Sequence, residues 1–103
     1  MTGWAGRTKP MAHVVRRNPE RSRYELLVDG ELVGVADYHI DGGRWIFPHT
    51  VIAPERRGQG LGAELVQAAL DDVRRAGGTV VPRCWYVADF IDAHPAYADL
   101  LAA

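Results

Sequence analysis

The sequence predicts an α+β domain: a mixed, mainly antiparallel sheet of about five strands flanked by helices, in the order β-β-β-β-α-β-α. Three observations predict it. Residues 12–53 repeat with a period of two and are broken by Asp29-Gly30 and by Asp41-Gly42-Gly43, as strands joined by hairpins are. From Pro54 onward apolar residues recur every three or four positions, the spacing of a helix with one apolar stripe. After Gly77-Gly78 comes a short apolar run, then further helical pattern.

Residues 13–17 form a first short strand, closed by Asn18-Pro19-Glu20, and residues 23–28 a second. Asp29-Gly30 is a type I′ hairpin signal because both positions tolerate positive φ. A third strand covers 31–40 and a fourth 44–52, with Pro48 marking an irregularity because it has no N–H for a ladder. Leu61, Leu65, Val66, Ala69, Leu70 and Val73 form the stripe of a helix that ends at Ala76-Gly77-Gly78. Residues 79–85 are a fifth strand, mostly apolar and so buried on both faces. A short helix over 87–93, an interruption at His94-Pro95, and a helical turn or two over 96–101 complete the chain.

The 103 residues suit one domain, and no repeat or linker divides them. Residues 1–10 read as a flexible leader, with Trp4 docking on the body or on a partner, and 11–103 as a single minimal domain. Lys+Arg 12 against Asp+Glu 13 gives a net charge of -1, so bulk charge makes no case for nucleic acid. Cys84 is the one cysteine, which excludes an internal disulfide and a multi-cysteine metal site. The four histidines form no close pair, so no metal site is expected. A lone thiol, no apolar leader and no run of about 18–20 apolar residues point to the cytoplasm, with no membrane partner.

Gly58, Gly60 and Gly62 alternate directly between a strand and a helix. The first N–H groups of a helix lack internal partners and carry partial positive charge, and glycines let an anion approach them. Arg56 and Arg57 add charge at the same end. A phosphate or pyrophosphate is the natural ligand; a structural glycine turn is the alternative. A Walker-type loop is excluded because Gly62 is followed by Ala63-Glu64 rather than Lys-Ser or Lys-Thr. A dinucleotide fingerprint fits poorly, since antiparallel strands precede the segment and Val80-Val81 stand where an acidic residue belongs.

The run from Ile52 to Gly62 resembles the coenzyme A signature of the GNAT N-acetyltransferase superfamily. There a strand ending V-x-P is followed by Q/R-x-x-G-x-G/A, here Arg57, Gly60 and Gly62. The segment His49-Thr50, together with Pro82-Arg83-Cys84-Trp85-Tyr86-Val87 and His94-Pro95-Ala96-Tyr97, resembles the small single-domain YjdJ-like subgroup. The resemblance spans about 11–101. It implies a GNAT-like sheet that splays between the fourth and fifth strands, with the pantetheine arm of acetyl-CoA in the opening. Thr50, Val51 and Ile52 would bond that arm through the backbone. The amides of Gly58, Gln59, Gly60, Leu61 and Gly62, with Arg57, would hold the pyrophosphate, and Tyr97 joins the cofactor-binding set.

The implied activity is acetyl-CoA-dependent N-acetylation of an amine whose identity the sequence does not reveal. The alternative is a non-catalytic module that binds CoA or acyl-CoA. Longer GNAT enzymes carry further strands after the last helix; none follows here before Ala103. The acceptor site is therefore expected to be shallow, open to a protein or peptide, or completed by another subunit, in a monomer or weak homodimer.

Acyl transfer needs a base for the amine, stabilisation of the oxyanion and protonation of the leaving thiolate. The resemblance places a Glu after His-Thr and a Tyr at the end of A-x-x-F-Y, and this chain has Val51 and Ile91 there. Substitutes are His49 as base, Cys84 as acyl-accepting thiol, and Tyr86 or Tyr97 as acid. Each has a structural alternative: a sheet histidine, an apolar filler, a tyrosine closing a core edge. Trp45, Trp85, Phe47 and Phe90 read as core, and Asp71-Asp72 with Arg74-Arg75 as a solvated helix face.

Overall fold

A computed structural model describes residues 12–103; the leader expected over 1–10, with Trp4, lies outside them. The strands are β1 (His13–Asn18), β2 (Arg23–Val28), β3 (Glu31–Asp37), β4 (His39–Asp41), β5 (Arg44–Phe47), β6 (Thr50–Ile52) and β7 (Thr79–Pro82). The helices are α1 (Leu61–Arg75) and α2 (Trp85–Ala93), with 3₁₀ turns over Pro54–Arg56 and Pro95–Leu100. The result is the mixed α+β architecture that the sequence predicts.

Two predicted strands are each cut in two. Residues 31–40 divide at Tyr38, whose N–H makes the last bond in the β2 register, to the carbonyl of Ser22, before the chain passes to β5. Residues 44–52 divide at Pro48-His49 because Pro48 has no N–H to continue the ladder. The halves then take different neighbours. β1-β2-β3-β6 form one antiparallel sheet, and β4-β5-β7 form another in which β5 and β7 run parallel. The predicted fifth strand also ends early, at Pro82, and α2 starts at Trp85 rather than 87.

An aromatic cluster joins the two sheets. Tyr24 of β2 stacks on Phe47 of β5 at 6.2 Å, and Tyr38 meets Trp45 at 4.9 Å between ring centroids. The predicted stripe of α1 is buried from Leu61 to Val73 and closes the core against the sheets. The other side of α1 is exposed at Arg74 and Arg75, as expected, but half-buried at Asp71 and Asp72, and distant side chains dock on it. Tyr24 donates to Asp72 at 2.6 Å, Tyr97 donates to Asp71 at 2.8 Å, and Arg74 forks onto Asp99 at 2.7 and 3.0 Å. These partners lie 25 to 48 residues away, beyond the reach of helix periodicity.

Among the described residues Glu25 is the buried charged one, 2% exposed on the sheet face opposite α1. Its partners shield it: Arg16 Nε at 2.9 Å, Arg23 Nε at 2.8 Å and Asn18 Nδ2 at 3.2 Å all donate to the carboxylate. Burial alone would raise its pKa, but those three donors outweigh burial and hold it at about 2 against an ordinary 4.5. A carboxyl depressed on folding stabilises the protein above its unfolded pKa and loses that contribution as pH falls through the folded value. Unfolding free energy should therefore drop by about 1–2 kcal/mol from this group as pH falls, allowing for the exposed arginines. In denaturant titrations between pH 4.5 and about 2, Glu25→Gln should flatten that part of the profile. An unchanged slope would rule the network out as its source.

Candidate functional site

The strand break creates the site. After Phe47 the chain leaves β7, and β6 pairs only with β3. The N–H of Asp37 donates to the carbonyl of His49, and that of Ala53 to the carbonyl of Val33. Antiparallel bonding alternates, so Val51 is the residue that pairs with Val35. The backbone groups of Thr50 and Ile52 therefore face the open edge, and Val51 offers that edge no amide. Arg57 Nε occupies part of it, donating to the Ile52 carbonyl at 3.4 Å.

Opposite this edge stands the N-terminus of α2. The Cys84 N–H donates to the Phe47 carbonyl at 2.8 Å, which ties the end of β7 to β5 where the sheets part. Between the walls lies a cleft of about 570 Å³. One side is Thr50, Val51 and Ile52, the other is Cys84, Trp85 and Tyr86, and one end is Arg56, Arg57, Gly58, Gly60, Leu61 and Gly62.

That end leaves backbone amides without partners. Gly60 caps α1 at φ 76, a left-handed conformation that other residues adopt at a cost, and no side chain caps the helix. The first bond within α1 is Glu64 N–H to the Gly60 carbonyl, which leaves the amides before Glu64 without intrahelical acceptors. No atom comes within 4 Å of where a Cβ would stand on Gly58 or Gly60. The cradle is therefore open, with Arg57 beside it, and a phosphate or pyrophosphate fits it. Arg56 is committed elsewhere, to Glu31 at 3.0 Å. Gly62 answers a different need: a Cβ there would sit 2.7 Å from the Tyr86 hydroxyl, so its bareness lets α2 close onto the start of α1.

At the other end the Cys84 thiol, 7% exposed, lies 3.8 Å from the Thr50 hydroxyl. Cys84 is the N-cap residue of α2, which likewise has no side-chain cap. His49 is outside the cleft lining; its Nε2 pairs with Asp37, which the β3–β6 register places next to it. Gln59 is exposed, in the segment between two lining glycines.

Tyr97 is not brought to the cleft. Its hydroxyl is held by Asp71 and its ring packs on Phe90 at 5.6 Å, with Arg74 over its face at 5.8 Å. Burial, then the bond to Asp71, pushes its pKa up. Ile91 is buried at 4% in the core, whereas Val51 is 47% exposed in the cleft. Trp45, Phe47 and Phe90 are core as expected, but Trp85 is 73% exposed and lines the cleft. Apolar composition alone made it look like core; its place at a helix start was the missing signal. Among the described residues no group of three or more His, Cys, Asp or Glu gathers as a metal site. None of their helices is long and apolar enough to cross a membrane.

No curated protein matches the sequence. Among solved structures, a GCN5-like protein from Staphylococcus aureus superposes with a TM-score of 0.67 at 16% identity, covering 87% of this chain and 88% of that one. The ribosomal-protein-S18-alanine N-acetyltransferase from Escherichia coli gives 0.57 at 19% identity over 64% of this chain, which spans only 44% of that enzyme. The ribosomal-protein-alanine N-acetyltransferase from Brucella melitensis biovar Abortus 2308 gives 0.56 at 20% identity, covering 79% and 61% of the two chains. At these identities the likeness establishes the fold alone. A family profile for GCN5-related N-acetyl-transferases matches residues 23–100, most of the chain and both walls of the cleft. The strand break, the open edge and the uncapped glycine cradle are thus features of a chain that belongs to the GCN5-related N-acetyltransferase family.

Proposed function

We propose that the protein binds acetyl-CoA along this cleft and transfers its acetyl group to an amine. One observation carries the reading: the uncapped, glycine-lined start of α1 and the unpaired edge of β6 open into the same cleft. In this reading the amides of Gly58, Gln59, Gly60, Leu61 and Gly62, with Arg57, hold the pyrophosphate. The open backbone groups of Thr50 and the outward N–H of Ile52 bond the pantetheine arm as an added strand would, while Val51 contacts it by side chain.

A bound acyl thioester supplies the activated acetyl group; the chain supplies placement and proton handling. Asp37 holds Nε2 of His49, which leaves Nδ1 to accept a proton from an incoming amine. The amides of the first turn of α2 lie at the Cys84 end of the cleft and favour negative charge developing there. The Cys84 thiol is the candidate for a transient acyl group, while Tyr86, expected as an acid, keeps its hydroxyl against Gly62 at the cradle end, away from the sulfur.

A second reading, a CoA-binding module without turnover, is favoured by Val51 and Ile91. Neither side chain titrates, and Ile91 faces the core. Calorimetry with acetyl-CoA tests what the two readings share, and silence at millimolar ligand would end both. Thiol release with a panel of peptides and small amines then separates them. His49→Ala should slow release by about tenfold to a hundredfold if the imidazole takes the amine proton. Intact mass after incubation should show one acetyl group that Cys84→Ala abolishes; a mass unchanged throughout would remove Cys84 from the chemistry.

A further inference from the structure

Trp85 is the most exposed large apolar side chain of the described residues, at 73%. The large aliphatic and phenyl side chains that follow it in α2, Val87, Phe90 and Ile91, are all buried. Its ring meets Tyr86 edge-on, with centroids 5.7 Å apart and planes at 86°, a contact that orients the indole without covering it. A large aromatic surface left in water beside a cleft calls for a partner.

Its neighbours locate that partner. Cys84, just before it, brings its thiol to 3.8 Å from the Thr50 hydroxyl and marks one end of the cleft. Tyr86, just after it, reaches Gly62 at the glycine cradle and marks the other. Trp85 lines the same cleft. The geometry points to Trp85 as the side chain that covers the pantetheine arm of a bound acyl-CoA. This rests on the cofactor reading above and adds a residue that composition assigned to the core.

The chemistry agrees. Of the parts of an acyl-CoA, the nucleotide lies beyond the phosphates, and the acyl group with its acceptor lies beyond the sulfur. Only the arm runs from one end to the other. It alternates amides with methylenes and a branched dimethyl carbon. The open edge of β6 answers the amides, and the indole face of Trp85 on one wall, with Val51 at 47% exposure on the other, answers the apolar carbons.

Calorimetry with CoA and with its adenosine bisphosphate portion alone tests the assignment. Trp85→Ala should weaken CoA about tenfold, equivalent to about 1.4 kcal/mol, and leave the adenosine bisphosphate within about twofold of wild type. Trp85→Phe should recover most of the loss. Since the side chain is exposed, both variants keep the core intact. Equal weakening of both ligands would put the indole on the adenine and overturn the assignment. Unchanged CoA affinity would also overturn it, leaving the acceptor as partner. Wild-type protein that binds no CoA would sink the cofactor reading itself, so the two failures are told apart by which protein fails.

Discussion

Glutamate in place of Gly60 is expected to abolish CoA binding, with affinity falling by more than about a hundredfold. Three effects act together. The position has φ 76, which costs a residue with a Cβ about 1–2 kcal/mol. The new side chain would fill a cradle that is open to at least 4 Å around the missing Cβ. Its carboxylate would occupy the uncapped amides at the start of α1 and repel a phosphate there. Gly60→Asn is the control, because asparagine tolerates the left-handed conformation and carries no charge; it should lose much less. Calorimetry with CoA, alongside a thermal melt confirming that the Glu variant stays folded, checks the expectation. Binding at wild-type strength would show that this cradle is not where the anion sits.

The largest stability effect is expected at Leu65, which is fully buried in the second turn of α1. A Cβ built on Gly34 would stand 3.4 Å from Leu65 Cδ2, so this side chain lies directly on the backbone of β3. Leu65→Ala should cost about 3 kcal/mol, the loss of transfer energy plus the cavity left where α1 meets the first sheet. For a domain of this size that lowers the thermal midpoint by about 12–24 °C. Denaturant unfolding at neutral pH measures it directly. A loss below about 1 kcal/mol would mean that α1 is anchored elsewhere. Tyr24→Phe is a useful comparison, since Asp72 keeps Arg17 and Arg75 as partners when the Tyr24 hydroxyl is gone.

Local signals were legible where one element carried them. The α1 stripe from Leu61 to Val73, the hairpin glycines Gly30, Gly42 and Gly43, and the glycine cradle all depend on residues within a few positions of one another. The failures have the opposite character. Tyr97 looked like part of the site because it follows the His94-Pro95 block, yet Asp71 and Arg74 of α1 hold it away from the cleft. Trp85 looked like core because it is large and apolar. The Asp37–His49 pair had no signal at all, being set by the register of β3 against β6, 12 residues apart along the chain.

By itself, then, the sequence determined the α+β class, the order of strands and helices, and a glycine segment suited to an anion. Periodicity and backbone freedom act over one or two turns, and a single chain records them. Pro48 marked an irregularity in the fourth strand, but only the tertiary structure decided that the strand divides there between two sheets, that its second half keeps an unpaired edge, and that Cys84, Trp85 and Tyr86 form the facing wall. Those outcomes depend on which strand each segment pairs with and on where helices end in space. Such choices are made by packing of the whole core, which no local pattern encodes.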